Sequence, residues 1–135
     1  MILEEILVEK HVDFIAVKRA CMKLFVLPKD KVHVCDVDDD FPEMGTLEVV
    51  VTASYLSHGF RTHLCIYTTN ATLQKNNHDM LIGDLSVQFD SRILVSNDSV
   101  NPYEMICIDR KKTMIVKIDS QTLDDEGCYI INDNS

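Results

Sequence analysis

The stretch from Thr46 to Leu56 commits this chain to a β-sheet. Leu47, Val49, Val50 and Val51 crowd into it, and three of them are β-branched, which suits a pleated, packed surface. Ser57-His58-Gly59 is a turn signal. Phe60 to Thr68 then reads as the returning strand of a hairpin, with Phe60, Leu64 and Ile66 on one face.

The remaining elements are placed around that hairpin. Phe14, Val17, Cys21 and Leu24 fall on one helical face, so residues Asp13 to Phe25 are predicted as a helix. Asp13 is the N-cap, and Lys18, Arg19 and Lys23 lie off the apolar stripe. The helix ends near Val26-Leu27-Pro28, because the residue before a proline is pushed out of the α region. Ile2 to Val8 reads either as an extension of this helix or as a separate turn. Val32 to Cys35 is a short strand.

The segment from Thr72 to Phe89 fits a helix over Asn77 to Gln88, capped by Asn76 or Asn77. A strand through Leu85, Val87 and Phe89 is the other reading. Arg92 to Ser96 is a short strand. Tyr103 to Ile108 and Thr113 to Ile118 form a second hairpin around Asp109-Arg110-Lys111-Lys112, and Gly127 to Ile131 is a candidate last edge strand. At 135 residues the chain is expected to be one α+β domain, a mostly antiparallel β-sheet packed against the N-terminal α-helix.

Charge excludes several functions. Twenty-two acids against 13 bases give a formal net charge of -9, which disfavours nucleic acid and the anionic cytoplasmic leaflet. No apolar run is long enough to span a bilayer, and Met1-Ile2-Leu3-Glu4-Glu5 carries acids where a signal peptide carries bases. The five cysteines are odd in number, widely spaced and set among apolar neighbours, so they read as core residues of a cytoplasmic protein.

Two acidic segments have no bases to balance them. The first runs Cys35-Asp36-Val37-Asp38-Asp39-Asp40-Phe41-Pro42-Glu43. The second is the C-terminal tail from Ile118 to Ser135, with Asp119, Asp124, Asp125, Glu126 and Asp133. In an EF-hand register, Asp36, Asp38 and Asp40 would take the first, third and fifth ligand positions. Phe41 then stands where glycine is needed and Leu47 where a bidentate glutamate is needed, so calcium is not expected. His33-Val34-Cys35 and His63-Leu64-Cys65 repeat a His-x-Cys unit. Each unit would present both side chains on one face of a strand, and two such strands side by side would offer a His2Cys2 zinc set. The bland reading is sheet histidines beside core cysteines. Ser57 and His58 are adjacent at a turn, where neighbouring side chains diverge, and no nucleophile motif accompanies them. From Lys10 to Lys31, six bases face only Asp13 and Asp30. They read as a solvated helix face, or as a surface that meets the acidic loop of a second copy in a homodimer.

No catalytic residues, metal or cofactor are assigned on this reading. The expected function is non-enzymatic protein binding. Asp36, Asp38, Asp39, Asp40, Phe41 and Glu43 are the leading contact residues, and Asp124, Asp125 and Glu126 are secondary. In profile (short, acidic, single-domain, without cofactor) the chain resembles bacterial immunity proteins. That resemblance implies a basic toxin domain as partner, with its nuclease-type phosphate site masked by acids. The likeness is one of profile rather than motif. Secretion chaperones are similar in size, acidity, N-terminal helix and strand-rich middle. The chain departs from them in ending without an amphipathic helix, and that alternative implies a dimer binding an effector. A third alternative is an enzyme or metal-dependent sensor built on the His-x-Cys pair.

Overall fold

Val49, Val50 and Val51 are all buried, so the strand they begin, β3 (Val49–Tyr55), is covered on both faces. The computed structural model describes residues 2–69, 78–98 and 100–132. Within them a seven-stranded sheet is built from β1 (Ile2–Val8), β2 (Val32–Asp36), β3, β4 (Thr62–Thr68), β5 (Ile93–Ser96), β6 (Glu104–Asp109) and β7 (Lys112–Lys117), in the order β2-β3-β4-β1-β5-β6-β7. Three α-helices accompany it: α1 (Phe14–Phe25), α2 (His78–Phe89) and α3 (Ser120–Glu126). The fold is the expected α+β domain, with every strand pair antiparallel except β2 with β3.

Two crossovers set the layers. The chain leaves β1 through α1 and returns in β2, passing β4 and β3. It leaves β4 through α2 and returns in β5, passing β1. The two crossovers start from oppositely directed strands and travel in opposite directions. One common hand therefore puts both helices on the same sheet face. There Val17, Ala20, Cys21 and Phe25 of α1 join Leu81, Ile82, Leu85 and Phe89 of α2 and the strand residues Ile6, Val8, Val51, Leu64, Ile66 and Ile93 in the main core. Asp13 caps α1 as expected, its carboxylate accepting from the Ala16 N–H at 2.8 Å. Thr62 Oγ1 accepts from the Val12 N–H at 3.0 Å, and the Tyr55 hydroxyl donates to the Val12 carbonyl at 2.8 Å, so the entry to α1 is tied to the sheet. Gly83 lets α2 approach the β6–β7 turn, since a Cβ there would lie 2.8 Å from the Arg110 carbonyl oxygen.

A smaller core forms on the opposite face. Leu7, Phe60, Leu94, Cys107 and Ile118 are buried there, under Leu123, Tyr129 and Ile131 of the C-terminal segment. Arg92 forks onto Glu9 at 2.6 and 3.0 Å, with its guanidinium 5.7 Å from the Phe60 ring centre.

The structure corrects several sequence expectations. Ile2–Val8 is neither helix nor turn but a central strand. Ile6 and Val8 face one core and Leu7 the other, so the run lacks the polar alternation that marks a one-sided strand. Phe60 does not share a face with Leu64 and Ile66. It sits in the turn before β4 and folds onto the second core. Gly127 to Ile131 adds no edge strand beyond a single bridge from Ile131 to Ile118. The Tyr129 and Ile130 carbonyls are instead taken by the Phe60 and Asp119 N–H groups. Helix α2 lies where the helical reading put it, while the caps proposed at Asn76 and Asn77 fall outside the described residues, as does Asp133.

Candidate functional site

Parallel pairing of β2 with β3 decides where the acidic loop goes. The chain leaves β2 at one end of the sheet and must enter β3 at the other, so residues 37–48 travel back along the sheet instead of making a tight hairpin. Phe41 lands edge-on against Tyr67, with ring centres 5.1 Å apart and planes at 80°. Tyr67 points to the face opposite α1 and α2, because its neighbour Ile66 is in the helix-side core. The loop therefore lies over the half of that face that the C-terminal segment leaves uncovered.

The loop's carboxylates divide into two groups. Asp36 Oδ1 accepts from the Asp38 N–H at 2.9 Å, and Asp39 Oδ2 accepts from the Asp36 N–H at 3.1 Å. The Asp39 N–H donates to the Asp36 carbonyl at 3.0 Å, and the Val37 N–H to the Ala53 carbonyl at 3.0 Å. Asp36 and Asp39 thus fold the turn through their side chains. The carboxylates of Asp38, Asp40 and Glu43 accept none of these bonds; these residues are exposed, as are Asp39 and Phe41, the latter at 49 %. Cys35, beneath them, has its thiol pKa raised by burial and by the charges of Asp39 and Asp36. Among the described residues the loop aspartates do not converge as a ligand cluster.

Asp124, Asp125 and Glu126 do not stand in a tail. They lie on α3, which packs beside the second core. Asp124 accepts from the Tyr103 hydroxyl at 2.8 Å, and this hydrogen bond raises the tyrosine pKa. Glu126 Oε1 stands 3.6 Å from His58 Nε2, and Asp125 is exposed. Ser57 and His58 do not diverge: Ser57 Oγ is 2.8 Å from His58 Nδ1, and the buried Cys128 Sγ lies 3.9 Å from each of those atoms. These contacts fasten α3 to the first hairpin.

The His-x-Cys units do share the sheet face opposite the helices, as strand periodicity requires. They do not meet. Cys35 pairs with Thr52, and Thr52 with Cys65, so β3 separates the two units by two strand spacings, about 9.5 Å. The partner of His63 and Cys65 is Glu5 on β1, which sits directly opposite Cys65 in the antiparallel register. Cys65 Sγ lies 3.5 Å from Glu5 Oε2 and 4.0 Å from His63 Nε2, and His63 Nε2 lies 3.7 Å from Glu5 Oε2. Ser54 Oγ is 3.4 Å from His63 Nδ1. Burial, with the Glu5 charge and hydrogen bond, raises the Cys65 pKa. Hydrogen bonds from Thr52 and Tyr67 act in the opposite direction.

Across the sheet, three of the six bases of the Lys10–Lys31 segment, Lys10, Arg19 and Lys23, line a groove of about 430 Å³ together with His11, Asp13 and Phe89. Lys10 pairs with Asp90 at 3.3 Å, and Arg110 closes on the same carboxylate. Among the described residues no helix is long and apolar enough to cross a membrane. No protein-family model, curated protein or solved structure matches the chain, so its site is read from its own geometry.

Proposed function

We propose that the domain is a cytoplasmic, non-enzymatic protein-binding module that neutralises a basic partner, a toxin domain, in the manner of an immunity protein. One observation carries this reading. The crossover loop spends Asp36 and Asp39 on its own turn and leaves Asp38, Asp40 and Glu43 exposed beside a ring anchored on the sheet. Carboxylates held by a rigid turn lose little entropy on meeting lysine and arginine, and a half-exposed aromatic supplies apolar contact at their centre. Asp124, Asp125 and Glu126 extend the acidic character of the same sheet face as secondary contacts.

The test is rescue. A neighbouring reading frame that is toxic when expressed alone should be tolerated when this chain is co-expressed, and the two proteins should co-purify. The triple variant Asp38→Asn/Asp40→Asn/Glu43→Gln should then fold with an unchanged melting midpoint. It should associate about tenfold or more slowly at low salt, with a flattened salt dependence. Unchanged association and unchanged salt dependence in that variant remove the loop from the interface.

The alternative, an acidic dimeric secretion chaperone, draws on β7. This strand stands at the end of the seven-strand order and exposes Met114 and Ile115, with the C-terminal segment meeting it at its last residue, where the Asn132 N–H donates to the Lys117 carbonyl at 2.7 Å. A dimer by sizing, together with binding of an unfolded effector segment in place of a folded basic domain, would favour it.

A further inference from the structure

We propose that Glu5, His63 and Cys65 form a three-ligand site for a zinc-class divalent ion, with its fourth coordination position open to solvent. The site lies outside the protein-binding reading and does not depend on it. Its first support is distance. Zinc bonds of about 2.3 Å to sulfur and 2.0–2.2 Å to nitrogen or oxygen, spread at tetrahedral angles, put neighbouring donors roughly 3.4–3.6 Å apart. The observed separations are 3.5, 3.7 and 4.0 Å. Cys65 reaches Glu5 Oε2 through a thiol hydrogen bond at 3.5 Å. The His63 sides of the triangle, at 3.7 and 4.0 Å, are long beside the roughly 2.7–2.9 Å of an imidazolium–carboxylate hydrogen bond and close to the width an ion between the three donors requires.

The second support is how the donors are held. Glu5 and Cys65 face each other across β1 and β4, and His63 is two residues from Cys65 on the same strand. All three stand on adjacent central strands, which fix donors better than loops do. In the tautomer where His63 Nδ1–H donates to Ser54 Oγ at 3.4 Å, Nε2 keeps its lone pair for the ion. Thiolate, imidazole and carboxylate together suit zinc and its borderline relatives rather than calcium or magnesium. On binding, the Cys65 S–H bond gives way to a sulfur–metal bond and the proton passes to the buffer. Glu5 is exposed and His63 and Cys65 are half-buried, which leaves room for a water or an incoming side chain as the fourth ligand.

Chelator-stripped protein titrated with Co2+ alone, then with Zn2+, tests the site. One Co2+ per chain is expected, with a near-ultraviolet thiolate-to-cobalt band and visible bands of tetrahedral intensity, all displaced by Zn2+. Cys65→Ser should lose the thiolate band. His63→Ala and Glu5→Gln should each weaken binding by about tenfold or more, while His33→Ala and Cys35→Ser should bind as the native chain does. Absence of saturable binding overturns the proposal, as does a thiolate band that persists in Cys65→Ser. If Cys65→Ser does not fold, Glu5→Gln at the exposed rim decides instead, and undiminished affinity in that variant overturns the proposal.

Discussion

The segment that follows α3 closes on the first hairpin at Gly59, and Gly59→Ala tests that approach. Gly59 has φ +74°, and a Cβ built there would stand 2.3 Å from the Tyr129 carbonyl oxygen and 3.0 Å from Ile130 Cγ1. Left-handed backbone costs a residue with a Cβ about 1–2 kcal/mol. Reduced freedom of the unfolded chain returns about 0.5–1 kcal/mol of that. The collision is the larger cost. A carbonyl oxygen cannot yield a full ångström without moving the segment that carries it. That movement breaks the 2.9 Å hydrogen bond from the Phe60 N–H to Tyr129, leaving a buried donor at about 1–3 kcal/mol. The sum is about 2–4 kcal/mol, a large share of the roughly 5–15 kcal/mol available to a domain. Urea unfolding measures it, with Gly127→Ala as the reference. Gly127 has φ +69° with nothing within 4 Å of its Cβ position, so it bears the conformational cost alone. The difference between the variants isolates the collision and should exceed about 1 kcal/mol. Equal destabilisation of the two variants would mean that the segment is not seated on the hairpin.

Three further outcomes are expected. Val26 closes α1 at φ +53° while 86 % exposed, so Val26→Gly should raise the urea midpoint by relieving on the order of 0.5–1 kcal/mol of left-handed strain; a lowered midpoint refutes that cause. Hydrogen bonds and charge from Lys10 and Arg110 hold the Asp90 carboxyl below its ordinary range. A depressed folded pKa adds stability above the ordinary carboxyl value and loses it as pH falls toward the folded one. The stability gap between the native chain and Asp90→Asn should therefore shrink with acidification across that window, and a gap that is constant or widens would exclude the linkage. Of the five cysteines Cys65 alone is not buried, while burial pushes the Cys21 thiol up to about 12. A maleimide should therefore modify Cys65 first in native protein, and mass mapping that finds Cys21 labelled at a similar rate would contradict the packing of α1.

Local signals were legible in the sequence, and pairings between distant segments were not. Asp13 before an apolar stripe marked α1, the valines at 49–51 marked β3, and the basic turn at 110–112 marked the β6–β7 hairpin. Strand β1 was hidden because burial on both faces erased its alternation, which left Ile2 to Val8 readable as a helix extension or a turn. That omission carried into the site. Period-two spacing put His63 and Cys65 on one face, but their neighbour is chosen by strand order, and nothing near Glu5 announces that β1 lies beside β4. Parity counting from Phe60 failed because the residue belongs to a turn, where side-chain alternation does not continue.

The acidic loop shows how topology converts composition into a candidate site. Its residues would be ordinary solvated charge in a tight antiparallel turn, where the chain reverses and the side chains fan outward. Parallel entry into β3 instead obliges residues 37–48 to run the length of the sheet. A path of that kind needs a reversal at its start and a foothold along the way. Asp36 and Asp39 supply the reversal through their carboxylates, and Phe41 supplies the foothold on Tyr67. Tyr67 stands two residues from Cys65 on the same face of β4, so the foothold adjoins the Glu5–His63–Cys65 cluster. Asp38, Asp40 and Glu43, whose carboxylates make none of those turn hydrogen bonds, are the exposed acids offered to the partner proposed above. Removing their charge should change recognition without changing the fold, whereas Asp36→Ala or Asp39→Ala should cost about 1 kcal/mol of stability before recognition is tested at all.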